Sequence, residues 1–186
     1  MIAENLNSVI RNRKSIYPSQ YNGQEIPLKL IQELLENANT APTHKLTQPW
    51  LFQVFAGEKK TLLLNEIYKI NKDKISDKKI KSLKEKFNNT SHIICVCMQR
   101  SDEKLIPEWE EIAATSMAVQ NIWLTCTANK IGCYWSTPKY SNKLNSFLNL
   151  EKNQRCLGFI YTGLYDNLPN IKTPRLEINS KTTWNL

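Results

Sequence analysis

The seven residues from His92 to Met98 (HIICVCM) form the apolar run that most limits how this chain can fold. An unbroken run of that length predicts a β-strand buried on both faces of its sheet. Two-residue spacing puts Cys95 and Cys97 on the same face of it. Trp50 to Gly57 carries Leu51, Phe52, Val54 and Phe55 and predicts a second strand. CLGFIYTGLY, from Cys156, predicts a further core strand, and CYWST, from Cys133, a short one.

Helical periodicity fills the intervals. Leu6, Val9 and Ile10 predict a first helix from Glu4 to Arg13, ending in the triplet Arg13-Lys14-Ser15. Tyr17 to Gly23 reads as loop. IPLKLIQELLENANTAP predicts an amphipathic helix with Pro27 in its first turn, a stripe of Leu28, Ile31, Leu34, Leu35 and Ala38, and Pro42 as its stop. Two polar helices are expected over about 59–71 and 77–88. The longest helical pattern runs from Glu108 to Lys130, with Ala113, Met117, Gln120, Leu124 and Thr127 along one face. Its small residues Ala113, Ala114, Ser116 and Ala118 permit close approach of another helix or a second subunit. Gly132 is expected to close that helix, and a shorter helix is expected over about 141–148. The aperiodic tail from Asp166 to Leu186, with Pro169 and Pro174, is expected to lie on another surface, such as a partner's. Strands scattered among helices, with no repeat or linker, predict one α+β domain over residues 1–186 with a mixed sheet.

The 186-residue chain carries a formal charge of +8, which raises nucleic acid as a partner. Much of the excess, however, is Lys69, Lys72, Lys74, Lys78, Lys79, Lys81, Lys84 and Lys86, interleaved with Asp73, Asp77 and Glu85. That pattern reads as a solvated helix face, and no aromatic residue stands between Lys69 and Lys86 to stack on bases. Nucleic-acid binding is therefore not expected. No apolar run approaches the roughly 20 residues needed to cross a bilayer. The N-terminus lacks the apolar core of a signal peptide, so a cytoplasmic location is expected. The five cysteines contain no C-x-x-C pair, and with two histidines in the chain a zinc site is not expected. They read as buried, reduced thiols.

The five glycines form neither G-x-G-x-x-G nor a P-loop, and there is no G-x-S-x-G elbow. An enzyme built from these residues would leave the hard chemistry to a cofactor. Two segments offer binding chemistry. Arg11, Arg13, Lys14 and Ser15 cluster where the first helix ends, and suit either a phosphate clamp or a cationic helix C-terminus. APTHKLTQPW, from Ala41 to Trp50, is a proline-stiffened loop that presents His44, Lys45, Thr47 and Gln48. His44 and Gln48 there suit the donor and acceptor edge of a planar heterocycle.

Five segments in order carry a resemblance: R-K-S near the N-terminus, A-P-T-H-x-x-x-Q-P-W after the second helix, Gln120-Asn121 in the long helix, I-G-C-Y-W-S-T after it, and L-G-F-I-Y-T-G-L-Y late in the chain. From about Val9 to Tyr165 the chain resembles the FMN-dependent nitroreductase family, in particular the short-chain branch whose loop carries A-P-x-H. The resemblance implies a three-layer α/β/α sandwich with a mixed, mostly antiparallel sheet, assembled as a homodimer whose C-terminal tails reach the partner. It implies that Arg13, Lys14 and Ser15 hold the FMN phosphate, joined by Arg175 from the tail. It implies that the loop, through His44 with Thr40 and Gln48, reaches the flavin of the other subunit. Trp135, Ser136 and Thr137 would lie against the cofactor, and the segment from Thr125 to Lys130 would contact the nicotinamide nucleotide. Ser136 stands where near relatives often carry a basic residue, and Lys14 where Arg is commoner, which keeps charge but loses bidentate geometry.

The implied activity is ping-pong hydride transfer from NADH or NADPH through FMN to a nitroaromatic, quinone or related small electrophile. No side chain is assigned as a general acid. Other readings of the same residues are a redox-silent flavin-binding or flavin-modifying protein, a basic nucleic-acid or surface-binding module, and a specialised reductase of an aldehyde, enone or halogenated aromatic.

Overall fold

The computed structural model describes residues 2–72, 75–167, 170 and 172–186; Asp73 and Lys74 of the basic stretch and Pro169 of the tail lie outside the described residues. Strands β1 (Trp50–Phe55), β2 (His92–Gln99), β3 (Gly132–Ser136) and β4 (Gln154–Gly163) form a sheet in the order β1-β2-β4-β3. The antiparallel character expected of most of the sheet extends to every pairing in it.

The sheet is covered on both faces, which is why its central strand is an unbroken apolar run. Ile94 and Val96 of β2 join Ile160 of β4 in one core cluster, roofed by helices α2 (Leu28–Ala38) and α5 (Glu108–Ala128). Ile93, Cys95 and Cys97 join Phe159 and Tyr161 in the other, under α3 (Glu58–Asn71) and α4 (Asp77–Asn89). Helix α1 (Ile2–Asn12) leans on α5. Three layers result. Ala114 and Ala118 admit α2 through Ile31, Leu34 and Ala38, so the small residues of α5 serve a helix of the same chain. All five cysteines are buried and unbridged. Among the described residues, no helix is long and apolar enough to cross a membrane.

Three local expectations are corrected. The segment after Tyr140 is not a helix through Leu148 but a 3-10 turn, Ser141–Lys143, followed by turns. Leu144 and Leu148 are buried, yet Asn149 takes the left-handed region at φ 50° and closes the chain back on itself. Helix α2 stops at Ala38, before Pro42, where the N–H of Asn39 donates to Leu35 O at 3.0 Å. Gly132 does not cap α5. Lys130 takes the left-handed turn there, at φ 55°, and Gly132 opens β3. Gly132 pairs with Gly163 of β4, and a Cβ at either position would run into the ring of Tyr21. The two glycines are a slot for that ring.

Candidate functional site

Tyr21 sets the path of the basic triplet. Its buried hydroxyl lies 2.8 Å from Ile16 O and 2.9 Å from Tyr161 O. Arg13 N–H closes the last turn of α1 on Val9 O at 3.0 Å, and Ile16 N–H donates to Cys133 O at 3.1 Å, which brings the triplet beside the start of β3. The Arg13 guanidinium stacks 4.8 Å from the centroid of the Trp123 ring, and the indole N–H of Trp123 donates to Lys14 O at 3.2 Å. Burial lowers the Arg13 pKa, the positive charge of Arg175 lowers it further, and Cys133 acts in the opposite direction. The tail residue Arg175 is thus brought into the neighbourhood of Arg13. Among the described residues, neither guanidinium has a carboxylate partner. Arg175 instead donates to the carbonyls of Thr173 and Pro174, at 3.3 and 3.1 Å. Ser15 of the triplet is half-buried. Lys14 lines an adjoining cleft of about 230 Å³ with Asn12, Thr127 and Lys130.

A larger cleft, of about 430 Å³, opens where Tyr17 and Pro18 meet β3 and α4, with Tyr134, Ser82, Glu85 and Lys86 in its walls. Tyr17 and Tyr134 lie with ring centroids 4.7 Å apart. The Lys86 ammonium sits 3.6 Å from the centroid of Tyr161 and 5.1 Å from that of Tyr134, and burial lowers its pKa to about 8. This corrects the reading of the lysine stretch as one solvated face. Lys69, Lys78, Lys79, Lys81 and Lys84 are exposed, but Lys86 turns inward. Lys60, outside the stretch, donates to Phe87 O at 3.2 Å and to Thr90 O, closing the C-terminus of α4.

Trp135, Ser136 and Thr137 end β3. Trp135 packs on the α2–α5 side of the sheet, where its indole N–H is buried with no hydrogen-bond partner among the described residues. Gly158 holds this end in place: at φ +139° its missing Cβ leaves room for the Ser136 carbonyl and the Thr137 Cα.

The loop residues lie elsewhere in the same chain. Thr40 donates to Asn37 O at 2.8 Å in the α2–α5 seam. The Gln48 N–H donates to Thr43 Oγ1 at 3.2 Å, and His44 contacts the carboxylate of Glu110 in the first turn of α5 through Nδ1. Glu110 and Trp123 are separated by roughly 20 Å of helix at 1.5 Å per residue. Within one chain, then, the arginines and the loop are fixed to opposite ends of α5.

A family model described as the nitroreductase family matches residues 10–164, a span holding the triplet, the loop, α5 and the W-S-T end of β3. The chain belongs to the nitroreductase family. YfhC of Bacillus subtilis (strain 168), whose name assigns it provisionally to NAD(P)H nitroreduction, is 28% identical over 90% of this chain and 88% of its own. A solved nitroreductase-like family protein from Bacillus cereus is 27% identical with a TM-score of 0.82, over 96% of this chain and 95% of that one. The FMN-dependent nitroreductase NfnB from Mycobacterium smegmatis, solved with NADPH, shares the fold at a TM-score of 0.77 and 16% identity, over all of both chains.

Two residues of this nitroreductase-family chain were missed by sequence reasoning. Lys86 follows Leu83 by three residues and precedes Phe87, so helical spacing places it at the border of the apolar face of α4. Glu110 carried no such signal, because its partner is brought to it only by the fold.

Proposed function

We propose that this chain is an oxidoreductase that binds FMN and uses NADH or NADPH to reduce nitroaromatic, quinone or related small electrophiles by a ping-pong route, as a cytoplasmic homodimer. The observation that supports it most is the proximity of Arg13 and Arg175, neither with a carboxylate partner among the described residues, in a chain of the nitroreductase family. The residues fit the cofactor's phosphate: the two arginines with Lys14 and Ser15 match a dianion. The buried, unpartnered N–H of Trp135 adds a donor close to the W-S-T backbone. Bound FMN would supply hydride acceptance from the nicotinamide and its return to a second substrate in the same pocket.

The chain's own part is to bind and orient. Arg13 is held by Trp123 and can face a phosphate without reorganising. Because the loop and the arginines stand at opposite ends of α5, a complete site requires the loop of a second subunit. Outward-facing Ala113, Met117 and Leu124 of α5 offer the surface for it.

The test is an absorption spectrum of the purified protein followed by anaerobic addition of NADH or NADPH. Flavin bands that bleach are expected. A colourless protein that FMN does not reconstitute would refute the reading, and bound FMN that neither nucleotide bleaches would favour a redox-silent flavin carrier.

A further inference from the structure

The His44 and Glu110 side chains come from separate elements and are not core residues, being 54% and 22% exposed. Their contact nonetheless commits one particular ring nitrogen. A carboxylate on Nδ1 fixes the proton there and turns the opposite nitrogen, Nε2, away from it. The backbone around His44 is wound against its preference, with Lys45 at φ 51°, Leu46 at φ 55° and Gln48 at φ 44°, all in the left-handed region. Local bonds hold it there: Thr43 and Thr47 hydroxyls meet at 2.8 Å, and the N–H of Thr47 donates to His44 O at 3.2 Å. Beside the loop lies an open cleft of about 300 Å³ with Pro42, Trp109, Ala113 and Met117 in its walls. The imidazole is a polar edge held rigidly over an apolar surface.

We infer that Glu110 is a positioning residue that keeps His44 in the Nδ1–H tautomer, so that Nε2 accepts a hydrogen bond from an imide-type N–H of a bound heterocycle. This rests on the reading that the loop of one subunit faces the flavin of the other. The oxidised isoalloxazine carries one such donor, at N3. Glu110 would thereby decide which edge of the flavin His44 can grip.

With two histidines in the chain, ¹⁵N NMR of the full-length protein at pH 8 resolves both imidazoles. His92 is recognisable by its burial and by the Ser91 hydroxyl 2.8 Å from its Nδ1. The expected result is the Nδ1–H tautomer for His44, retained in Glu110→Gln, whose amide oxygen still accepts, and lost in Glu110→Ala. FMN and FMN methylated at N3 are then compared by fluorescence quenching. Wild type should bind the methylated form about tenfold more weakly, the worth of one hydrogen bond, and His44→Phe should bind both alike. An Nε2–H tautomer in wild type, or no change in Glu110→Ala, overturns the role of Glu110. The expected tautomer with equal binding of the two flavins overturns the N3 partner alone. Absence of any FMN binding refutes the flavin reading beneath it, while the NMR result still decides what Glu110 does.

Discussion

The Lys86 ammonium lies 3.6 Å from the centroid of the Tyr161 ring. A cation over a ring face is attracted to it, yet burial dominates here and brings the lysine pKa down from 10.5 to about 8. The folded chain therefore releases this proton before the unfolded chain does. Between pH 8 and 10.5 the unfolded state binds more protons, so stability from this group rises with pH, and below pH 8 the full penalty remains. Lys86→Met should stabilise the flavin-free protein at pH 7 by about 1–3 kcal/mol, with the gain shrinking as pH approaches 10.5. Thermal melts at pH 7 and pH 10 check the gain and its pH dependence. A variant less stable than wild type at pH 7 would show that Lys86 is a structural cation.

Arg175 tests the phosphate site separately from the ring site. Arg175→Ala removes the neighbour that presses on Arg13, so the flavin-free protein should lose no stability. FMN should bind about 10–100-fold more weakly, the loss of a charge-assisted hydrogen bond of about 1.5–3 kcal/mol. Riboflavin, which lacks the phosphate, should bind to variant and wild type alike. Equal weakening of both flavins would place Arg175 against the ring instead.

What the sequence disclosed and what it withheld divide by the range of the interaction. The strand from His92 was legible because burial on both faces erases alternation within the run itself. Arg13 and Arg175 were both named in advance, but only the fold brings them together. Gly132 was misassigned because its role is fixed by Tyr21, over a hundred residues earlier in the chain. The inward turn of Lys86 depends on which side of α4 meets the sheet, and the lysines around it share its composition but not its surroundings.

Gly158 should be intolerant of a side chain. In the β2–β4 register Cys97 faces Cys156 while Val96 faces Gly158, so Leu157 is an extra, bulged residue. Gly158→Ala would have to push the Ser136 carbonyl aside while keeping φ near +139°. Overpacking and backbone strain together should cost about 2–4 kcal/mol and displace the W-S-T turn. Gly57→Ala is the control. It also has positive φ, at +49° with ψ −131°, but no atom lies within 4 Å of the added carbon, so its cost is backbone strain without overpacking, about 1–3 kcal/mol. Urea melts of the two variants should separate them, and equal losses would mean that the close approach at Ser136 relaxes freely.

Met117 addresses assembly. Helix α5 buries Ala114, Ala118 and Ile122 against its own chain but leaves Met117 39% exposed, with Trp109 67% exposed toward the start of the helix. An apolar face left open on a helix that is already packed is a surface for a partner. Met117→Glu should convert a dimer to a monomer in sedimentation, because a charge would be buried without a partner at the interface. The isolated chain should lose no more than about 0.5 kcal/mol, since the position is outside its core. If the loop of one subunit completes the site of the other, FMN affinity should fall along with the dimer. A Met117→Glu protein that stays dimeric would place the interface on another face. A wild-type monomer holding FMN would remove the need for a second loop, and with it the two-subunit site.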